Sequence, residues 1–361
     1  MRLLLAVALA ALAAPALAQP APVTPAQSAI PHHELIVGAI ENYIRPGFRQ
    51  LAEETGSLAT NVAALCAAPS AAALEQARDQ FRSAVIAFSR VEFVRVGPLT
   101  TGDRLERLLF WPDRKGIGLR QVQQALASED ETAADPATLA GKSVAMQGLA
   151  AVEYLLFGTG AEALTTGDAY RCRYAEASVT LIAGLAQTIA ADWDDPAGPS
   201  DRMLLPLPEY DDFRTELEVV EKLAATLVHG TEMIRDQRLT PILAGKAPNP
   251  RAALFWRSDM TVPALAANFA GLHDYFLAAR FPEAVAGPNA WVANSAIFEF
   301  QNAARAAAII TEPLAEALAD PRQLRALTYL VLITGSFDTI VGQDLAAALG
   351  LAVGFSALDR D

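Results

Sequence analysis

Residues 147–158 run Gln-Gly-Leu-Ala-Ala-Val-Glu-Tyr-Leu-Leu-Phe-Gly, an apolar stretch with a single carboxylate, Glu153, inside it. At 100° per residue, Val144, Gly148, Ala151, Val152 and Leu155 share one side of a helix, while Glu153 points the other way among Met146, Leu149, Leu156 and Phe157. A helix that is apolar all round needs other elements packed on every side. An acid in such surroundings raises its pKa or finds a cation or a hydrogen-bond donor. Asp135 as N-cap, Pro136 at the first helical position and Gly158 as the stop predict one continuous helix over 136–157, about 33 Å long.

The partners for that helix lie on both sides of it, and helical periodicity dominates throughout. Helices are expected from His33 to about Leu65, interrupted near Pro46-Gly47, and from Ala71 to Val96, stopped by Gly97-Pro98. Another is expected from Thr166 to Trp193. Between Asp194 and Tyr210 the chain turns to Pro, Gly, Ser and Asp, a linker composition. Beyond it, helices are expected at about 211–239, 259–280, 289–319 and 321–349. The fold class is therefore all-α, as two four-helix bundles: residues 19–195, a linker at 196–210, and residues 211–361. The similar size of the halves suggests duplication, although no residue-level repeat is evident.

Met1-Arg2, the apolar run Leu3–Ala14 and the ending Ala16-Leu17-Ala18 have the pattern of a secretory signal peptide over residues 1–18, cleaved after Ala18. A periplasmic or other envelope location is expected, with no transmembrane segment in the mature chain. The net charge of −13 disfavours nucleic acid and anionic membrane surfaces as partners, and 52% hydrophobic residues with only 7% aromatic ones suit a large core of small side chains. Cys66 and Cys172 are the two cysteines. In an oxidising compartment they are expected to pair, closing a loop of about a hundred residues worth about 4–5 kcal/mol, the alternative being two buried thiols.

A second acid repeats the anomaly of the first. Phe81, Val85 and Phe88 form the stripe of the 71–96 helix, and Glu92 falls within that stripe with Arg95 three residues on. Either Glu92 and Arg95 form an intrahelical ion pair, or Glu92 meets Glu153 in the bundle interior, where bundles build metal and ligand sites. The segment Phe110-Trp111-Pro112-Asp113-Arg114-Lys115-Gly116 is a charged turn. It is either structural or a loop over the bundle mouth that offers Asp113 as acceptor and Arg114 as donor. His32, His33, His229 and His273 lack HExxH spacing, and there is no Gly-x-Ser-x-Gly elbow, Walker loop or dinucleotide fingerprint, so no catalytic residue is assigned.

The segments Glu92–Pro98, Phe110–Asp113, Gly148–Gly158 and Gly354–Asp361 together resemble the imelysin family, also classed as M75 peptidases, envelope proteins associated with iron-regulated uptake. The resemblance covers most of the mature chain and implies two related helical bundles. It also implies a Gly-x-His-x-x-Glu signature, in which Gly148 and Glu153 match while Ala150 stands at the histidine position. A His three residues before a Glu would project on the same helix side as a second metal donor; alanine has no donor atom.

The expected function is that of a non-catalytic envelope binding component linked to uptake of iron or another metal. Its binding residues would be Glu153, Glu92, Arg95, Asp113 and Arg114, and Glu153 and Glu92 would be the metal donors. Its ligand would be a metal ion such as iron or another divalent cation, or a small molecule, and its partner an envelope transporter. The alternatives are a metal-dependent M75-type peptidase with an altered ligand set, and a structural interaction protein in which Glu153 bonds only backbone or arginine.

Overall fold

The computed structural model describes residues 28–351, and every regular element among them is helical. The expected leader and the Gly354–Asp361 segment lie outside the described residues. The first bundle consists of α2 (Arg45–Ala67), α3 (Ala71–Val91), α4 (Gly148–Phe157) and α5 (Ala169–Asp194), preceded by α1 (His32–Ala39). Helix α2 packs on α3 and α5, and α4 closes the ring by packing on both of those. In the second bundle α6 (Glu216–Met233), α7 (Thr261–Ala278), α8 (Ala290–Ile309) and α9 (Pro321–Thr339) pack in the same cyclic manner.

Local sequence explains where these helices begin and end. Pro46 sits in the first turn of α2, and the turn before it, Ile40–Ile44, widens to π geometry. The proline ring cannot tolerate a regular carbonyl four residues upstream, so the expected interruption takes this form. Helix α3 stops at Val91 instead of reaching Val96, because Glu92 caps it and the buried Phe93 and Val94 turn into the junction between the bundles.

The continuous helix expected over 136–157 is broken. Asp135 does cap Ala137, but the helix it starts ends at Leu139, a 3-10 turn follows at Val144–Met146, and α4 begins afresh at Gly148. Ser143 caps the 3-10 turn, and the Gln147 side chain donates to the carbonyls of Leu139 and Lys142, occupying acceptors that a longer helix would have used. Gly148 has φ +74°, and a Cβ there would lie 2.5 Å from the Arg107 carbonyl oxygen, so glycine is required on both counts.

The two bundles share one hydrophobic core. Helix α3 crosses α7 so closely that a Cβ on Gly271 would meet the Arg90 carbonyl oxygen at 2.6 Å, and Asn268 Nδ2 donates to the Ser89 carbonyl at 2.7 Å. Helix α1 packs on α6 and α7. The proline-rich stretch after Asp194 carries a short helix, Pro199–Leu204, with Ser200 and Met203 buried, and Arg45 donates to Ser200 Oγ. Cys66 and Cys172 are disulfide-bonded, with their Cα atoms 5.5 Å apart, which ties α2 to the start of α5.

One later stretch of the chain is markedly apolar. Pro321–Leu349 is by length and composition apolar enough to cross a membrane. Its apolar residues have an internal use: Leu327, Leu330, Ile333 and Phe337 are buried where α9 packs on α6 and α8.

Candidate functional site

Glu153 lies on α4 and is 3% exposed. Its Oε1 accepts three hydrogen bonds: from the backbone amides of Arg257 and Ser258, each at 3.0 Å, and from Ser258 Oγ at 2.9 Å. The donors sit in a turn whose ends, Phe255 and Asp259, both have positive φ, a conformation that side-chain-bearing residues adopt at a cost. That local conformation aims successive N–H groups at one oxygen. Burial pushes the Glu153 carboxyl above the usual carboxylate range, while Ser258 and the Arg257 charge pull in the opposite direction.

No hydrogen bond among the described residues ends on Glu153 Oε2, and Glu153 lines a cavity of about 520 Å³ between the two halves of the chain. Drug-sized ligands occupy cavities of about 300–1,000 Å³. One wall comes from residues 110–122 and from α4, including Ala150, Ala151 and Tyr154. The other comes from 236–257, including Arg251, Trp256 and Arg257. Trp111 Nε1 donates to the Gln237 carbonyl at 2.9 Å, which latches the 110–116 loop to the opposite half. The Arg257 guanidinium carbon lies 4.4 Å from the Trp256 ring centroid and 5.3 Å from that of Tyr154, within cation–π range of both.

The other residues expected at the site divide. Arg114 lines the cavity and is exposed at its rim. Asp113 also lines it, but Oδ1 accepts from the Ile117 amide at 2.7 Å and Oδ2 from the Gly118 amide at 2.9 Å, so this acid caps the helix Ile117–Ser128 instead of offering an open acceptor. Glu92 does not join Glu153 and does not pair within its own helix. Its Oε2 accepts from Arg238 Nη2 at 2.5 Å and its Oε1 from Asn268 Nδ2 at 2.8 Å, so it fastens the first bundle to the second. Arg95 follows the end of α3 with its Nε buried and without a hydrogen-bond partner. Burial lowers its pKa, an effect that nearby Glu92 opposes. Neither Glu92 nor Arg95 lines the cavity.

These geometries answer whether the residues present suit a metal centre of the kind the family signature implies. Ala150 lines the cavity one turn before Glu153 with no donor, and Glu92 is engaged by Arg238 and Asn268. Among the described residues no group of three or more His, Cys, Asp or Glu side chains is placed to hold a metal ion. The residues therefore do not fit a protein-built metal centre, and the expectation that Glu153 and Glu92 act as joint donors is corrected: their partners lie on different segments of the second half. His33 faces Glu216 at 3.7 Å on the surface and His273 lies against Phe300, so neither is at the cavity.

Sequence reasoning missed the Arg251–Ser258 segment altogether. A signal was present, because Trp256-Arg257-Ser258-Asp259 places aromatic, cationic and capping residues side by side just before a helix. Periodicity alone gave no reason to connect it with Glu153.

The same architecture occurs in solved structures. An imelysin-like protein from Psychrobacter arcticum 273-4 superposes with a TM-score of 0.72 at 20% identity, over 91% of this chain and 99% of that one. A protein described as an iron-regulated protein A precursor, from Parabacteroides distasonis ATCC 8503, does so with a TM-score of 0.68 at 14% identity, over 88% and 93%. At such identities the likeness is one of fold. No curated protein is significantly similar in sequence. The family model for imelysin, Peptidase_M75, matches residues 44–334, a span that contains both cavity walls and the Glu153 helix, and this chain belongs to the imelysin family.

Proposed function

We propose that this protein is a non-catalytic binding component of the cell envelope, engaged in handling iron or another metal as cargo, and that the cavity beside Glu153 is its binding site. The observation that carries the reading is the asymmetry of Glu153. Three donors hold Oε1 in place, which fixes the carboxylate, while Oε2 has no such partner among the described residues, on a carboxylate that borders a ligand-sized cavity. A buried acid held in this way is pre-organised to meet a donor or a cation brought by a ligand. Ala150 supports binding over cutting, since it removes from the cavity wall the side chain that would complete a family-type metal pair. The name of the iron-regulated structural relative supports the choice of cargo, and the leader-like residues 1–18 support the envelope location.

The test is calorimetric titration of ferric ion, presented bare and as a hydroxycarboxylate chelate, into the wild type, Glu153→Gln and Ala150→His. Glutamine keeps an oxygen for the three donors and loses the charge. Binding at least tenfold weaker in Glu153→Gln is expected, about 1.4 kcal/mol, together with tighter binding of the bare ion in Ala150→His. Titrations identical across the three proteins would overturn the reading.

A further inference from the structure

The cavity carries a charge pattern that the metal reading alone does not explain. Arg114, Arg251 and Arg257 all line it, and none of the three guanidinium groups makes an ion pair or a side-chain hydrogen bond among the described residues. By contrast, Arg45, Arg49, Arg78, Arg82, Arg90 and Arg104 each have a carboxylate partner within 4 Å. The acids that border the same cavity are otherwise engaged: Asp236 pairs with Arg235 at 2.9 Å, Asp113 accepts two backbone amides, and Glu153 Oε1 accepts three donors. The formal charges of the lining balance, three arginines against Asp113, Glu153 and Asp236, but among the described residues only the arginines lack a hydrogen-bonding or ion-pair partner for their charged groups. Arg257 is only partly exposed: burial disfavours its charge, nearby Glu153 offsets that in part without forming an ion pair, and an anionic ligand would offset it further.

Arg257 is also held ready. Its guanidinium carbon lies within cation–π range of Trp256 and Tyr154, and among the described residues its N–H groups make no hydrogen bond, so they can serve a carboxylate or phosphate in bidentate fashion. Arg251 lies near Trp256 as well, 5.8 Å from its ring centroid, at the exposed rim. The rest of the lining is mainly apolar and in part aromatic, with Phe110, Trp111, Leu119, Val122, Phe255 and Trp256. A cavity of roughly 150 Å³ accommodates one benzene ring, so about 520 Å³ has room for a fused ring system and its charged group.

We infer that the ligand of this cavity is an organic anion with a flat apolar body: its carboxylate or phosphate meets Arg257 and Arg251, its rings lie against the aromatic walls, and Glu153 Oε2 accepts a donor from it. Any metal would then arrive inside an anionic chelate that brings its own ligands, in keeping with the misfit of the protein's own side chains to a bare cation. The inference takes from the proposed function only that this cavity is the binding site.

The experiment is calorimetry without metal, using 1-naphthoate and its size-matched neutral and cationic counterparts, 1-naphthamide and 1-naphthylmethylamine. It is run on the wild type, Arg257→Gln, Arg251→Gln and, as a control remote from the cavity, Arg325→Gln. Naphthoate is expected to bind and the other two to bind at least tenfold more weakly. Arg257→Gln should weaken naphthoate at least tenfold and Arg251→Gln severalfold, while Arg325→Gln matches the wild type. The Arg257 change leaves in place the backbone amide that holds Glu153, and Arg251 is at the rim, so folding is preserved in at least one informative variant. Equal binding of all three compounds, no naphthoate binding at millimolar concentration, or undiminished binding in both cavity variants would each overturn the inference. Glu153-dependent ferric binding beside any of those results would leave the proposed function standing.

Discussion

Glu92→Ala is expected to destabilise the fold by about 3–5 kcal/mol, the usual consequence of stranding one member of a buried ion pair. The Glu92 and Arg238 side chains are 3% and 6% exposed, and among the described residues their bond at 2.5 Å is the only hydrogen bond that Arg238's guanidinium makes; its Nη1 is buried without a partner there. Removing the carboxylate leaves that guanidinium buried and uncompensated, with Arg95 a second partly uncompensated cation nearby. Arg238→Met should cost less, because Asn268 continues to donate to Glu92 Oε1. The double variant Glu92→Ala/Arg238→Met, apolar at both positions, should recover most of the loss, with a coupling of about 2 kcal/mol or more between the sites. Urea unfolding followed by far-ultraviolet circular dichroism measures all three variants. Against a typical stability of about 5–15 kcal/mol, the single change should shift the midpoint visibly. A loss under about 1 kcal/mol for Glu92→Ala, or strict additivity in the double variant, would show that the junction between the bundles does not depend on this pair.

Two further outcomes follow from the Glu153 helix. Gly148→Ala combines a φ of +74° with a Cβ 2.5 and 2.6 Å from two carbonyl oxygens, so it should destabilise by more than about 1–2 kcal/mol and weaken ligand binding by displacing the helix start; thermal unfolding equal to wild type would contradict this. The second concerns pH. Burial raises the folded pKa of Glu153 above its unfolded value of about 4.3, so between those two values the folded state holds the extra proton and stability falls as pH rises. Glu153→Gln should therefore lose this part of the decline on the alkaline side of pH 4.3, and parallel stability curves for the two proteins would refute the assignment.

Some of this was legible in the residues themselves. The all-round apolar character of 147–158 called for a buried helix with Glu153 inside it, and Glu153 is buried. Asp135 and Pro136 marked a helix start that the structure contains, though the helix they begin is only one turn long, because Gln147 and Gly148 redirect the chain through contacts with backbone distant in sequence. The two cysteines pair as expected.

The site was legible in part only. Periodicity says which face of a helix is covered but not which residues cover it. Glu92 appeared equivalent to Glu153 because both interrupt apolar stripes. What distinguishes them are partners 146 and 104 residues further along the chain, Arg238 for one and the Arg257 amide for the other.

The sequence by itself thus determined the helical class, the burial of Glu153, the absence of a donor at Ala150 and the presence of two cysteines that could pair. These depend on local periodicity, capping chemistry and residue identity. Only the tertiary structure decided that Glu92 is a clasp, that Asp113 is a cap, and that Glu153 faces a chamber lined by arginines from the other half. Those roles depend on long-range packing, through which one carboxylate is neutralised by a guanidinium and the other is held by a turn at the edge of a cavity.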